Sequence, residues 1–347
     1  MKKSTRCLAA LMTVAMAGSV LVGCSSQADG GVTEATTVPT ETTAAETTET
    51  AAETTAAATA ETTEATPETT VWAPIEDPNI TPPEGYYLVW HDEFDGDALD
   101  PTNWASEYHR PGWVNNELQT YIQDGENIFV EDGDLVIQPM MGINDRGNAF
   151  YTSGRINTYH LHAFTYGRVE ARIRVPSGQG FLPAFWMMSD DESYGTWPKS
   201  GEIDIMEILG SDTDTLYGTL HYGNPHQQNQ GIYDLESGDF ASEYHVFAIE
   251  WEPGEIRWYC DDTLYYTTNF WYSAMDGQDP NPYPAPFDQP FYIILNVAVG
   301  GNWPGDPDET ALFDESSQMR VDYVRVFQME SYDTNVTQGE PDEGVSG

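Results

Sequence analysis

The decapeptide Gly201-Glu202-Ile203-Asp204-Ile205-Met206-Glu207-Ile208-Leu209-Gly210 places three carboxylates on one apolar run. Glycines close both ends and aliphatic residues separate the acids, a pattern typical of a half-buried β-strand. Because side chains alternate faces in a strand, Glu202 and Asp204 share a face with Met206, and Glu207 points to the other face. A β-bulge near Met206 would insert one residue and return Glu207 to the face of Glu202. The decapeptide therefore predicts either an incidental glutamate or a bulged strand that gathers three acids.

Two glutamates on one face, with an aspartate between them, have a defined chemistry. Retaining glycoside hydrolysis uses one ionised carboxylate as nucleophile and a second, protonated carboxyl as acid, about 5–5.5 Å away. Carboxyls this close push each other's pKa values apart. We expect Glu202 to be the nucleophile and Glu207 the acid/base, with Asp204 hydrogen-bonded to the nucleophile. The alternative is a solvated acidic strand edge, which is disfavoured because Ile and Met, rather than polar residues, separate the acids.

The chain between Val71 and Glu330 is dense in aromatic residues, and turn residues recur along it. Gly167–Val175 alternates charged and apolar residues, as a strand with one buried face does. No convincing amphipathic helix interrupts this pattern. We predict one all-β catalytic domain over residues 73–330, built as a sandwich of short strands. The other predicted strands are Tyr217–Tyr222, Tyr244–Trp251, Glu255–Cys260, Thr263–Thr267, Phe291–Val299 and Arg320–Phe327.

The ends of the chain do not have the composition of a folded domain. Met1–Gly23 has a basic start and an apolar run of signal-peptide length, too short for a membrane span. Leu21-Val22-Gly23-Cys24 resembles a bacterial lipobox, which predicts export and a lipid on Cys24 at the cell surface; the alternative is an ordinary secretory signal. Residues 24–72 are rich in Thr, Ala and Glu and are predicted to form a disordered tether, and 331–347 an acidic flexible tail.

Net charge and cysteine content exclude several classes of function. The formal net charge is −44, which argues against nucleic-acid binding and gives a self-repelling surface, so we expect a monomer. An acidic surface also disfavours anionic polysaccharides and favours neutral glucans. Cys7 lies in the leader, and Cys260 lies on an apolar strand face, so the folded part has no disulfide framework. Membrane contact is expected only through the N-terminal lipid.

Sequence blocks beyond the acidic strand follow one another in order along Val89–Phe327. They resemble glycoside hydrolase family 16, in its laminarinase-like endo-β-1,3-glucanase branch. The resemblance implies a β-jelly-roll sandwich of the concanavalin A-like lectin/glucanase type, with an open concave cleft. The blocks are Trp90-His91-Asp92-Glu93-Phe94-Asp95-Gly96, Gly112-Trp113-Val114-Asn115-Asn116-Glu117-Leu118-Gln119, Tyr151-Thr152-Ser153-Gly154-Arg155-Ile156, Pro183-Ala184-Phe185-Trp186-Met187, Trp197-Pro198-Lys199-Ser200-Gly201-Glu202, Tyr217-Gly218-Thr219-Leu220-His221, Asn296-Val297-Ala298-Val299-Gly300-Gly301-Asn302-Trp303-Pro304-Gly305 and Val321-Asp322-Tyr323-Val324-Arg325-Val326.

The resemblance also implies an activity, which is retaining endo-hydrolysis of β-1,3-glucosidic bonds in laminarin-like glucans. It assigns Glu202 as nucleophile, Glu207 as acid/base and Asp204 as the assisting acid. It further implies that the extra residue at Met206 is the bulged form of the catalytic strand. Two alternatives stay open: a hydrolase of mixed-linkage β-1,3-1,4-glucan or another polysaccharide, and a non-catalytic glucan-binding protein.

Cleft residues are harder to identify from residue type alone. A flat indole suits the apolar face of a pyranose, so Trp186 and Trp197 are expected either in the cleft or in the core. Arg155 could donate a pair of hydrogen bonds to sugar hydroxyls or form a surface ion pair. His221 could contact the sugar or be a core histidine. The resemblance implies substrate contacts at Trp113, Asn116, Arg155, Trp186, Trp197 and His221.

The sequence indicates no cofactor for catalysis, and no His/Cys cluster has zinc spacing. The resemblance implies one structural calcium on the convex face, with ligands at Glu93, the Gly133 carbonyl and Asp322. These are oxygen donors of the kind that calcium takes. Asp261-Asp262-Thr263 stands where relatives often have an Asp-Gly turn, so we expect a looser hairpin there.

Overall fold

A computed structural model describes residues 72–123, 125–273 and 279–341, and these residues are almost entirely β-structure. A three-residue 3-10 helix, Glu315–Ser317, is the one helical element in these ranges. The strands are β1 Tyr87–Asp92, β2 Ala105–Ser106, β3 Gln119–Tyr121, β4 Ile128–Glu131, β5 Asp134–Ile137, β6 Met140–Ile143, β7 Ala149–Ser153, β8 Arg155–Asn157, β9 Ala163–Phe164, β10 Gly167–Arg174, β11 Phe181–Ser189, β12 Glu202–Leu209, β13 Asp212–Tyr222, β14 Gln227–Asp234, β15 His245–Glu252, β16 Glu255–Cys260, β17 Thr263–Thr268, β18 Phe291–Val299 and β19 Met319–Gln328.

Two eight-stranded antiparallel sheets make up the domain. The first, here the back sheet, has the order β17-β16-β15-β10-β19-β5-β4, with β1 also paired to β19. The second, here the cleft sheet, has the order β14-β13-β12-β11-β18-β8-β2, with β9 also paired to β18. A small sheet of order β3-β7-β6 completes the described part. This is the β-sandwich that the strand pattern predicted, in the β-jelly-roll form that the resemblance implied.

The core lies between the two sheets and is filled by alternate residues of their strands. In β16, Ile256, Trp258 and Cys260 are buried, while the residues between them are partly exposed. Cys260 is a free cysteine that is 1% exposed, so it packs as a small hydrophobe, as predicted. Strands β16 and β18 have the bounds that were predicted from the sequence.

The catalytic strand β12 contains the predicted bulge. Between Asp204 and Glu207, β12 advances three residues while each neighbouring strand advances two. Ile205 and Met206, the residues within this step, are 1% and 0% exposed and both belong to the core. One extra residue on β12 is thus absorbed on the core side, and Glu207 returns to the face of Asp204.

The β16–β17 turn is tight, so the looser hairpin expected there is wrong. Asp261 and Asp262 have φ values of 47° and 63°, and Cys260 pairs directly with Thr263. A two-residue hairpin turn of this kind needs positive φ at both positions, which aspartate tolerates better than most residues. The Asp261 carboxylate also accepts a hydrogen bond from the Val246 amide at 2.8 Å.

Both ends of the described chain contact the sandwich. The amide of Trp72, the last residue of the predicted tether, donates to Gln328 Oε1 at 3.1 Å. In the predicted tail, Gln338 Nε2 donates to the Trp271 carbonyl at 2.6 Å. The predicted leader, lipid site and most of the tether lie outside the described residues. Within 72–123, 125–273 and 279–341, no helix has the length and apolar character needed to cross a membrane.

Candidate active site

A cleft crosses the face of the cleft sheet that points away from the core. Its floor is made by alternate residues of β8, β18, β11, β12, β13 and β14, which register side by side. Cavities of about 480, 100 and 500 Å³ follow along it and share lining residues. Lining residues include Arg155, Leu182, Trp186, Trp197, Glu202, Asp204, Glu207, Tyr217, His221, Gln230 and Asn296.

The three acids of β12 meet in this cleft. Glu202 and Glu207 both line the cavities of about 480 and 100 Å³. Asp204 lines the smaller of these two cavities. Asp204 is 2% exposed, whereas the two glutamates are partly exposed. The bulge therefore brings all three carboxylates to one face, as the parity argument required.

Burial and the neighbouring acids separate the protonation behaviour of the two glutamates. Burial, followed by the charge of Asp204, raises the pKa of Glu202 to about 7, although His221 and a hydrogen bond from Trp197 oppose the shift. Burial, the charge of Asp204 and that of Glu202 raise the pKa of Glu207 well above its usual range. Glu202 therefore ionises first and Glu207 keeps its proton. This is the difference between a nucleophile and a general acid.

His221 supplies a positive charge beside these acids. It lies opposite Glu202 in the β12–β13 pair, with Nε2 3.3 Å from Asp204 Oδ2 and 4.0 Å from Glu202 Oε1. Burial lowers the pKa of His221, but contact with Asp204 and the charge of Glu202 outweigh it and raise the pKa to about 9. His221 is therefore an imidazolium at neutral pH and forms an ion pair with Asp204. It is not a core histidine.

The core holds the bulge from behind. The indole Nε1 of Trp258, in the back sheet, donates to the Asp204 carbonyl at 2.9 Å. Trp258 packs so closely on Gly218 of β13 that a Cβ at that glycine would lie 2.5 Å from its Cδ1 atom. Asp204 is thus fixed through its backbone by a buried residue of the opposite sheet.

Three predicted tryptophans lie in the cleft rather than in the core. Trp186 donates from Nε1 to Asn296 Oδ1 at 2.7 Å, and the Arg155 guanidinium carbon lies 4.6 Å from its ring centre. Trp113 is 48% exposed, and Trp197 is 46% exposed beside His221. Their indoles are available to stack on sugar rings.

Arg155 and Asn116 have partners within the protein. Arg155 is 6% exposed, and its Nε donates to Glu107 Oε1 at 2.9 Å. Asn116 Nδ2 donates to Asn302 Oδ1 at 2.9 Å, while its neighbours Asn115 and Glu117 line the cleft. Arg155 therefore lines the cleft as part of an ion pair, and Asn116 ties two cleft loops together. Their contacts with sugar stay predictions.

A comparison with known proteins tests the resemblance. Residues 91–325 match the family model of glycosyl hydrolases family 16. The chain belongs to this family.

Relatives within family 16 are similar over most of this chain. The glucan endo-1,3-beta-glucosidase A1 of Niallia circulans is 42% identical over 265 residues, covering 70% of this chain and 38% of that protein. A beta-glucanase of Rhodothermus marinus is 41% identical, covering 69% of this chain and 84% of that protein. The solved catalytic domain of an endo-1,3-beta-glucanase (laminarinase) from Thermotoga petrophila RKU-1 has a TM-score of 0.60 and 39% identity, covering 71% of this chain and 99% of that one. This chain spans little more than a third of the Niallia protein.

The two carboxylates predicted to bind calcium have arginine partners. Both carboxylate oxygens of Glu93 accept from Arg325, at 2.9 and 2.7 Å. Asp322 Oδ2 accepts from Arg172 at 2.7 Å, and Gly133 occupies the β4–β5 turn with φ of 84°. A calcium ion here would have to use backbone carbonyls or displace an arginine. The site stays a prediction.

Sequence reasoning did not assign roles to several residues that line the cleft. Some lie in blocks that carried the family-16 resemblance, so a signal was present without a role. His226 had a weaker signal, a second histidine just beyond a Gly-Asn-Pro turn, and its place depends on how β13 pairs with β14. These residues are Tyr217, His226, Gln228, Gln230, Asn302 and Trp303.

Proposed function

We propose that this family-16 protein hydrolyses internal β-1,3-glucosidic bonds of laminarin-like glucans with retention of configuration. The observation that carries the proposal is the bulge in β12, which places Glu202, Asp204 and Glu207 on one cleft face. The separation of the glutamate pKa values supports the same conclusion. Relatives named as endo-1,3-beta-glucosidase and laminarinase support the choice of linkage.

The mechanism follows from the charge states of these groups. Ionised Glu202 attacks the anomeric carbon while protonated Glu207 donates to the glycosidic oxygen, which leaves with the departing chain. The resulting glycosyl ester on Glu202 is hydrolysed by a water that Glu207, now ionised, deprotonates. Asp204 keeps the proton on Glu207 in the resting state, because its negative charge opposes ionisation of both glutamates. His221 balances part of that charge, so Glu202 can ionise near neutral pH.

The cleft suits a neutral, extended polysaccharide. Exposed indoles of Trp113 and Trp197 stand at two places along it and offer flat apolar surfaces to pyranose rings. A sequence net charge of −44 would repel an anionic polymer. The cavities continue on both sides of the acids, which supports cleavage within a chain.

Assays with matched variants test this proposal. Reducing-sugar release is measured on laminarin, lichenan and a galactan, and the anomeric form of the first product is read by NMR. We expect hydrolysis of laminarin with retention, and losses of about 10²–10⁴-fold in Glu207→Gln and at least as large in Glu202→Gln. Glu309→Gln, the same change at an exposed position, is the control.

Each contrary result has a defined meaning. Laminarin binding without turnover would leave a glucan-binding protein. Faster hydrolysis of lichenan than of laminarin would assign a mixed-linkage glucanase. Full activity in either glutamine variant would overturn the mechanism.

We infer further that the protein is exported and anchored by a lipid on Cys24. The support is the lipobox-like Leu21-Val22-Gly23-Cys24 behind an apolar leader. Labelled palmitate fed to expressing cells should enter the wild-type protein and not Cys24→Ala, which should appear in the medium or keep its leader. Equal labelling of both proteins would refute lipidation at this cysteine.

A further inference from the structure

His226 forms an imidazole pair with His221 at the edge of the cleft. It follows β13 in the turn before β14, and its Nε2 lies 2.8 Å from His221 Nδ1. The rings are 5.0 Å apart between centres and inclined by 23°. At this distance one nitrogen donates a proton and the other accepts it.

The surrounding charges decide which nitrogen is the donor. Glu202, Asp204 and Glu207 all favour a proton on His221, whose other nitrogen faces Asp204. Burial and the charge of His221 lower the pKa of His226 to about 4. His226 is therefore neutral at working pH, carries its proton on Nδ1 and accepts from His221 at Nε2.

His226 also contacts Trp197, which like His221 acts on the nucleophile Glu202. Its ring centre is 5.0 Å from that of Trp197, at an angle of 39°. Trp197 in turn gives a hydrogen bond that favours ionised Glu202. A single exposed side chain thus contacts both the imidazolium and the indole that stabilise the nucleophile.

We propose that His226 is a positioning residue, which holds His221 as an imidazolium and fixes Trp197 against it, so that both act on Glu202. His226 contacts neither reacting atom and acts through its two neighbours. The charged and titratable groups that face the pair or line the same stretch of cleft are Glu117, Glu202, Asp204, Glu207, Tyr217 and, on the far side of the acids, Arg155. The inference rests on the proposed hydrolase function only for its kinetic effect, since the pair itself exists without substrate.

Two variants separate the acceptor from the ring. His226→Phe keeps an aromatic ring against Trp197 and removes the acceptor, while His226→Gln keeps an acceptor and removes the ring. The imidazole of His221 is titrated by ¹⁵N NMR without substrate, with His221→Asn used to assign its signals. We expect the pKa of His221 to fall by about one unit or more in His226→Phe, because the charged donor loses its partner, and by less in His226→Gln.

Kinetics on the substrate that the wild type cleaves complete the test. We expect kcat of His226→Phe to fall about tenfold, with KM changed less than about twofold. The reason is that the variant loses the placement of the His221 ring, not a contact with the sugar. An unshifted His221 titration in both variants would overturn the proposal. A raised KM with unchanged kcat would instead make His226 a substrate contact. If the wild type cleaves no glucan, the titration still decides the histidine pair, so the two failures are distinguishable.

Discussion

Replacing Asp204 with asparagine removes one buried negative charge from between the two catalytic glutamates while keeping the shape of the side chain. Among the neighbouring charges, that of Asp204 has the largest effect on the pKa of each glutamate, and it raises both pKa values. Two unit charges about 5 Å apart interact by ~3 kcal/mol at an effective dielectric constant of ~20, which corresponds to about two pKa units. Loss of charge on His221 offsets part of this, so we expect a downward shift of about one unit in each glutamate.

The sign of the shift determines the pH profile. The acidic limb of kcat/KM reports ionisation of Glu202, and the alkaline limb reports loss of the proton from Glu207. Both limbs should therefore move to lower pH in Asp204→Asn, by about one unit, as apparent values of a coupled pair. At pH 7, on the acidic limb, the rate should hold or rise, because more Glu202 is ionised. On the alkaline limb the rate should fall by up to about tenfold, because less Glu207 is protonated.

The assay is initial rate on laminarin between about pH 4 and 10, with melting temperature measured to confirm folding. Asp145→Asn makes the same chemical change in the exposed β6–β7 turn and should leave both limbs in place. Activity lost with limbs unmoved would refute the electrostatic role of Asp204. A shift to higher pH would refute the sign of the coupling.

Three further predictions follow from single contacts. Trp197→Phe removes the hydrogen bond that lowers the pKa of Glu202, so the acidic limb should move to higher pH, opposite to Asp204→Asn; an unmoved limb would contradict this contact. Gly218→Ala puts a Cβ 2.5 Å from Trp258 Cδ1, so the free energy of unfolding should fall by about 1–3 kcal/mol and the melting temperature by ~3–10 °C. Gly125→Ala, with open space around it, is the control and should change little. Equal melting temperatures of the two variants would refute the packing argument. If calcium binds at Gly133, EDTA should lower the melting temperature, and calcium, but not magnesium, should restore it. The expected size follows because an ion at 100 times its Kd stabilises the folded state by ~2.7 kcal/mol. A melting temperature unchanged by EDTA would refute the predicted calcium site.

Local sequence pattern was sufficient to predict much of the fold. Glu255–Cys260 was bounded correctly because its buried and partly exposed residues alternate, and Phe291–Val299 because it is a short, almost continuous apolar run that is buried at all but one residue. The same alternation rule exposed the conflict at Glu207, and the resemblance to family 16 resolved it as a bulge. The structure then located the extra residue between Asp204 and Glu207.

The sequence by itself therefore determined the all-β class, the acidic strand and the identity of the three acids. Only the tertiary structure decided which partners those acids have. The Arg155–Glu107 ion pair, the Asn116–Asn302 contact and the Trp258 bond to the Asp204 carbonyl join residues 48, 186 and 54 positions apart. Such contacts depend on sheet order and on register between distant strands, which no local pattern encodes. His226 shows the same limit over a short distance, because its role depends on the charges that β12 brings to the other side of His221.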